Sequence, residues 1–163
     1  MTIYLIFLHL IFAILITFNP ILVKIHVYLV TLFGVYLVMT DKNANRIVIL
    51  ISYVIGSELL WRAFNAGIYW EFGKIFSIAL LLLIGLRIGF NRSNQKLGMI
   101  YILLLLPSIL VVKSISQSDI THALLGPLLL GISVTVFSVL EINFKLFKNI
   151  LIYGIMPIIS FLT

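Results

Sequence analysis

The chain has 163 residues, of which 63% are hydrophobic and only 10% are charged, and its mean hydropathy is +1.25. A soluble domain is ordinarily about half apolar and about a quarter charged, so this chain has too little charge to cover a water-facing surface. The composition excludes an ordinary cytosolic globule, a disordered chain and a disulfide-stabilised secreted module. It predicts an all-α membrane protein, a polytopic transmembrane helix bundle that forms a single domain over residues 1–163.

Eleven Lys and Arg residues against five Asp and Glu residues give a net charge of +6. The basic residues are scattered between apolar runs, so we expect them to set membrane orientation and not to bind nucleic acid. The absence of cysteine excludes disulfides, thiolate metal sites and cysteine nucleophiles. The sequence contains no metal-site, phosphate-loop or serine-hydrolase motif, so we expect neither a metal nor a cofactor.

Polar residues separate seven apolar runs that are typical of spanning helices. Their predicted bounds are Ile3–Phe18, Ile21–Met39, Ile47–Phe64, Ile75–Phe90, Leu97–Val112, Ala123–Leu140 and Ile150–Leu162. Several runs are shorter than the ~20 residues that cross ~30 Å of hydrocarbon, and local thinning of the bilayer would accommodate them. The seventh run is only about 20 Å long as a helix and ends without a polar or aromatic flank. We therefore expect these residues to be the N-terminal part of a longer protein.

The basic residues divide unevenly between the two sides of the predicted bundle. Four lie at the first, third and fifth connections, whereas seven lie at the second, fourth and sixth connections and their helix ends, namely Lys42, Arg46, Arg87, Arg92, Lys96, Lys145 and Lys148. Because cytoplasmic loops are enriched in Lys and Arg, the N-terminus is predicted to be cytoplasmic. The first, third and fifth connections then face the opposite side.

The most unusual stretch, Ser57 to Lys74, places ionisable and aromatic residues at the end of an apolar helix. Glu58 and Arg62 are four residues apart, so they share a helix face and can pair. Glu71 and Lys74 repeat this arrangement three residues apart. Ionisable groups at membrane depth are costly and tend to line polar cavities. This stretch is therefore a candidate functional site.

Two interpretations of this stretch stay open. In one, it is an outer loop with internally satisfied ion pairs, anchored by Trp61, Tyr69 and Trp70 in an interfacial aromatic belt. In the other, it is an outward-facing site where Arg62, together with Lys74, binds an anionic headgroup such as a diphosphate.

A second polar segment covers residues 113–127 and lies on the same predicted side. Lys113 and His122 are candidates to extend the anion site, and a plain surface loop is the competing interpretation. His9 is alone in an apolar helix, which favours a hydrogen-bonded structural histidine over a proton relay. Lys24 and His26 are expected to extend from the second helix toward the membrane interface.

The run from Glu58 through Arg62 to Ala66-Gly67-Ile68-Tyr69-Trp70-Glu71-Phe72-Gly73-Lys74 resembles the N-terminal part of O-antigen ligase and polymerase-like membrane proteins. Two later pieces are similar in order and spacing, namely Leu105-Leu106-Pro107-Ser108 and Leu125-Gly126-Pro127-Leu128-Leu129-Leu130-Gly131-Ile132-Ser133. The resemblance covers most of residues 45–160.

The resemblance implies a polytopic glycosyltransferase of the bacterial inner membrane. Such a protein moves a glycan from an undecaprenyl diphosphate carrier onto lipid A-core or a growing polymer, on the periplasmic side and without a nucleotide sugar or metal. It implies that Arg62 contacts the carrier diphosphate and that Glu58 orients it. The substrate-binding candidates are therefore Arg62, Glu58, Lys74, Glu71, Lys113 and His122.

The family's catalytic periplasmic loop lies later than these residues, so no catalytic residue is assigned and residues 1–163 alone are expected to be inactive. Two other classes stay open. One is a small structural protein of the cell envelope, which fits the length but leaves the Ser57 to Lys74 stretch unexplained. The other is a transporter or channel subunit, which would need more ionisable residues inside its helices.

The absence of cysteine makes the predicted topology directly testable. Single cysteines introduced by Asn65→Cys and Ser116→Cys should react with a membrane-impermeant maleimide in cells with a permeabilised outer membrane, whereas Asn94→Cys should react only after lysis. This pattern follows from the excess of basic residues on the cytoplasmic side. Protection of Asn65→Cys in unlysed cells would contradict the predicted orientation.

Overall fold

The computed structural model describes residues 2–41, 43–89, 95–111 and 117–162. These residues form no strand and seven helices, namely α1 (Thr2–Phe18), α2 (Ile21–Thr40), α3 (Ala44–Ala63), α4 (Phe72–Ile88), α5 (Lys96–Val111), α6 (Gln117–Phe137) and α7 (Phe144–Leu162). They fall into two compact units, Met1–Gly73 with Asn143–Thr163, and Lys74–Ile142. The all-helical class is confirmed, and the single transmembrane domain stays a prediction.

Two of the helices in the described part of the chain, α2 and α3, are long and apolar enough to cross a membrane. Shorter apolar helical segments run over Tyr4–Phe18, Lys96–Leu105 and Ala123–Phe137. Length and composition therefore give weak evidence for a membrane location. The bundle of seven spans remains a prediction.

Four helices, α3, α4, α6 and α7, begin three or more residues earlier than the apolar runs predict. The helix α7 begins at Phe144, six residues before the predicted start, because the Asn143 side chain accepts a hydrogen bond from the backbone N–H of Leu146 at 2.8 Å. Such N-caps satisfy backbone donors that the first helical turn leaves open. The seventh helix is therefore 19 residues and about 28 Å long, close to a full bilayer core. The helices α3, α4 and α6 also begin within the predicted polar connections.

The helix α2 turns its small side chains inward and its large apolar side chains outward. Its buried stripe is Val23, Val27, Val30, Gly34 and Val38. Its large side chains that are more than half exposed include Tyr28, Leu29, Leu32, Tyr36 and Met39. Small residues allow helices to approach closely, whereas a broad exposed apolar face is unfavourable in water. This distribution favours apolar surroundings for α2.

The helices α3 and α7 pack side by side and run in the same N-to-C direction. The Ser52 hydroxyl donates to the carbonyl oxygen of Ile150 at 2.5 Å, and one turn further along both helices Gly56 lies against Gly154. The contacting residues therefore advance toward the C-terminus together along both helices. In contrast, α2 runs antiparallel to α3, because His26, near the start of α2, contacts Trp61 near the end of α3.

The second unit has its own close helix pair, formed by α5 and α6. A Cβ atom at Gly98 would collide with the Thr135 side chain, and one at Gly131 would lie 2.7 Å from Cγ1 of Ile102. Glycines at these two positions let the helix backbones come together, as small residues do in apolar helix interfaces.

The α3–α7 contact predicts a position-specific effect of adding one methyl group. In Gly56→Ala the new Cβ would strike the carbonyl oxygen of Gly154, which is backbone and cannot move without separating the helices. We expect a loss of about 1–3 kcal/mol in the free energy of unfolding, measured by chemical unfolding of the purified protein and helical circular dichroism.

The matched control is Gly126→Ala in α6, where an added Cβ meets nothing within 4 Å. Alanine is about 1 kcal/mol better than glycine inside a helix, so this variant should be as stable as the parent or more stable. Equal destabilisation by both substitutions would contradict the α3–α7 packing.

Candidate functional site

The candidate site lies at the C-terminal end of α3 and in the turn that follows it. Asn65 adopts a left-handed backbone with φ of 46°, the Ala66 N–H donates to the Trp61 carbonyl at 2.9 Å, and the Asn65 N–H donates to the Arg62 carbonyl at 3.2 Å. These two hydrogen bonds and the left-handed residue form a Schellman motif, which satisfies carbonyls that a helix end leaves open. The motif turns the chain back toward the Arg62 side chain.

Arg62 joins the end of α3 to the segment that precedes α4. Its Nη2 pairs with the Glu58 carboxylate and lies 3.4 Å from Oε2 of Glu71, and its Nε donates to the Trp70 carbonyl oxygen at 3.1 Å. The guanidinium carbon also lies 4.5 Å from the centre of the Trp70 ring, a cation–π distance. One side chain thus holds two carboxylates and an indole, and we call Glu58, Arg62, Trp70 and Glu71 the Arg62 cluster.

Both acidic residues of the Arg62 cluster are buried, with Glu58 8% and Glu71 3% exposed. Burying a carboxylate is costly unless a cation and hydrogen bonds compensate it. The Arg62 guanidinium therefore offsets the cost of burying the two carboxylates. Gly73 lets the start of α4 lie against Glu58, because a Cβ at Gly73 would sit 2.9 Å from Oε2 of Glu58.

A small cavity of about 50 Å³ adjoins the Arg62 cluster and is lined by Glu58, Trp61, Arg62, Asn65, Ala66, Gly67, Ile68, Tyr69, Trp70 and Gly73. That volume holds a few water molecules.

The structure brings together three of the six predicted site residues, Glu58, Arg62 and Glu71. The predicted Glu58–Arg62 pair is confirmed, and the Glu71 carboxylate lies 3.4 Å from the same guanidinium. Lys74 lies in the second unit, in the first turn of α4. Lys113 lies outside the described residues, and His122 belongs to α6 but its side chain is outside the described part.

The aromatic residues of this stretch do not form one belt. Tyr69 and Trp70 are 50% and 57% exposed, as an interfacial position requires, but Trp61 is only 1% exposed and is part of the core. The expectation of an interfacial Trp61 was therefore wrong. Its indole packs beside Phe72, with ring centres 6.1 Å apart.

A chain of hydrogen bonds continues from Trp61 through three helices. The Trp61 Nε1–H donates to Nδ1 of His26 at 2.9 Å, Nε2 of His26 lies 2.7 Å from the Tyr53 hydroxyl, and that hydroxyl lies 3.2 Å from Nε2 of His9. Because an indole nitrogen can only donate, Nδ1 of His26 must accept and the proton of the neutral ring lies on Nε2. His26 then donates to Tyr53, and Tyr53 donates to His9.

This polar chain fixes how α1, α2 and α3 meet. The indole of Trp61 cannot accept a proton from His26, so the chain of hydrogen bonds ends at Trp61 and does not form a proton path to Arg62. The predicted hydrogen bonding of His9 is confirmed, and its structural role stays a prediction. His26, in contrast, contacts Trp61 and Tyr53 instead of extending to the interface, so that expectation was wrong. Its partners are 35 and 27 residues away, and no local spacing marks them.

No protein-family model, curated protein or solved structure matches the chain. The interpretation of the site therefore rests on the geometry of the Arg62 cluster and of the hydrogen-bond chain.

The hydrogen-bond chain predicts strong coupling between His26 and Trp61. His26→Phe leaves the buried Trp61 N–H without its acceptor, which should lower the free energy of unfolding by about 1–3 kcal/mol. In the double variant His26→Phe with Trp61→Phe, no buried donor is left without an acceptor at this pair, so the loss should be smaller than the sum of the two single losses. Additive losses in chemical unfolding experiments would contradict the bond.

Proposed function

We propose that this chain is the N-terminal part of an O-antigen ligase or polymerase-like glycosyltransferase. In this proposal the protein is a multi-pass component of the bacterial inner membrane with about seven spans. It acts on a glycan linked to undecaprenyl diphosphate at the periplasmic face, and residues 1–163 are inactive alone. The observation that carries the proposal is the Arg62 cluster, an arginine held by two buried carboxylates at the end of an apolar helix.

The multi-pass arrangement has support from the helix directions and from the exposed surface. The parallel contact of α3 with α7 is what alternating crossings require, because three further crossings separate these two helices. The outward large apolar residues of α2 are suited to contact with acyl chains. The exposed Tyr69 and Trp70, in the segment between α3 and α4, are suited to the headgroup region.

Arg62 is the group that we assign to the carrier diphosphate. Guanidinium groups bind phosphates through paired N–H donors in a planar fork. Nη1 takes part in none of the contacts described above, whereas Nε and Nη2 hold the side chain in place. Glu58 would orient the guanidinium, and Glu71, whose 3.4 Å separation is longer than a short hydrogen bond, is the partner that an incoming anion would displace.

Lys74 is proposed to add a second positive charge to this site, and Lys113 and His122 to extend it. No catalytic residue is assigned within the chain, and the proposed chemistry needs no metal or cofactor. The proposed partners are the lipid bilayer and the lipid-linked glycan.

A small structural protein of the cell envelope is the competing proposal. The specific observation that favours it is that Arg62 already has two carboxylates and a carbonyl as partners, which is what a purely structural clamp between α3 and the segment before α4 requires. A transporter or channel subunit is the third class, and no described contact favours it.

Replacing Arg62 separates the two leading proposals. In cells that express the natural gene, Arg62→Ala should reduce glycan transfer about tenfold or more, because a charge-assisted contact to the diphosphate is lost. Lipid-linked glycan should accumulate while the amount of protein in the membrane is unchanged. The matched control is Arg87→Ala, which removes the same charge from an exposed position at the end of α4.

Full glycan transfer by Arg62→Ala would contradict the proposal. Loss of the protein itself, with no accumulation of lipid-linked glycan, would favour the structural clamp. The mass of the native product, tagged at its N-terminus, adds an independent test. A product at least about twice the size of this 18.5 kDa chain fits the glycosyltransferase, whereas a product near that mass would contradict it.

A further inference from the structure

A groove of about 630 Å³ lies within the first unit, away from the Arg62 cluster. It is formed by α1, α2, α3 and α7 and is open on one side. Its volume is within the ~300–1,000 Å³ that ligand pockets commonly occupy. Most of its lining is apolar, including Leu8, Phe33, Leu37 and Leu50.

Polar groups occupy the two ends of the groove. Arg46 enters it at the start of α3, whereas Tyr53 enters it two turns later, where the hydrogen-bond chain lies. The polar atoms of that hydrogen-bond chain bond to one another, so an apolar ligand beside them leaves none of these atoms without a partner. The groove therefore has one charged end and a lining that is otherwise mostly apolar, with Asn149, Tyr153 and the hydrogen-bond chain as its other polar groups.

A second basic residue adjoins the charged end. The helix α7 contributes Asn149, Tyr153 and Met156 to the groove, and Lys145 lies one turn before Asn149 on the same helix face. The contact between Ser52 and Ile150 places the start of α7 level with the start of α3. Lys145 is therefore at the same end as Arg46, and both side chains are exposed.

Asp41 reduces the charge at this end. Its carboxylate pairs with Arg46 at 2.9 Å. The backbone N–H of Asn43, and to a smaller extent Arg46, hold the pKa of Asp41 below its ordinary value, so it is ionised at neutral pH. Lys145 then contributes the excess positive charge, and Arg46 becomes fully available when an anion replaces Asp41.

We infer that this groove binds an anionic phospholipid of the surrounding bilayer, with an acyl chain along the apolar lining and the phosphate at Arg46 and Lys145. The combination of a long apolar channel and a basic end matches the two parts of such a lipid. A soluble anion would leave the apolar lining empty, and an uncharged apolar molecule would leave the basic end unused. The inference rests on the membrane location that we propose but not on glycan transfer.

The test compares two lipids that differ only in headgroup charge. The detergent-purified full chain is mixed with equal amounts of phosphatidylglycerol and phosphatidylcholine that carry the same acyl chains, and bound lipid is counted by native mass spectrometry. We expect a preference for phosphatidylglycerol that falls about fivefold in Arg46→Gln and in Lys145→Gln, since each basic residue near an anionic headgroup has about this effect. Soluble glycerol phosphate should not displace the bound lipid.

Three further variants make the test specific. Lys24→Gln removes the same charge from the opposite end of α2 and should leave the preference unchanged. Asp41→Asn keeps the acceptor for the Asn43 N–H but removes the charge that competes for Arg46, so the preference should rise. Leu8→Trp places a bulky ring at an exposed position of the groove lining and should lower the binding of both lipids.

Equal binding of the two lipids by the parent protein would overturn the inference. A preference that survives Arg46→Gln combined with Lys145→Gln would also overturn it, as would unchanged lipid binding in Leu8→Trp. Each variant is compared with the parent at equal helical circular dichroism, so that loss of folding is recognised separately. Release of the protein from membranes at alkaline pH would instead contradict the membrane location itself.

Discussion

The need to satisfy polar groups inside an apolar helix bundle determines the arrangement of the first unit. Tyr53, Glu58, Trp61 and Arg62 all lie on α3, and each finds its partner within this unit. A buried polar group without a partner costs about 1–3 kcal/mol by mutational measurement, so these contacts fix which helices meet and where. Two hydrogen bonds hold His26 against α3. The contacts of Arg62 with Trp70 and Glu71 hold the segment before α4 against the end of α3.

The sequence predicted the parts of the structure that depend on local patterns. The helix class, the connections at Asn19 and Asn65 and the Glu58–Arg62 pair follow from hydropathy, turn residues and the spacing of four. The early start of α7 was missed because a single capping asparagine, Asn143, extends the helix through a polar stretch. The apolar pattern marks where a helix is buried, whereas the cap decides where it begins.

The contacts that shape the candidate site could not be predicted from local sequence patterns. Nothing in the spacing of His26, Tyr53 and Trp61 indicates that they meet, because they are brought together by the antiparallel packing of α2 and α3. The contact of Glu71 with Arg62 likewise depends on the turn that follows the left-handed Asn65. Trp61 was expected at the interface for its residue type, but its hydrogen bond to His26 allows it to be buried.

In the membrane protein that we propose, the two ends of α3 have different roles. The Arg62 cluster forms a compact polar site at its C-terminal end, and the groove of about 630 Å³ includes Arg46 at its N-terminal end. Both roles require that apolar side chains such as Leu32 and Met39 face acyl chains. The most direct test is alkaline carbonate extraction of membranes from cells that express the tagged natural gene. Retention in the membrane pellet is the predicted result, and release into the supernatant would contradict the account.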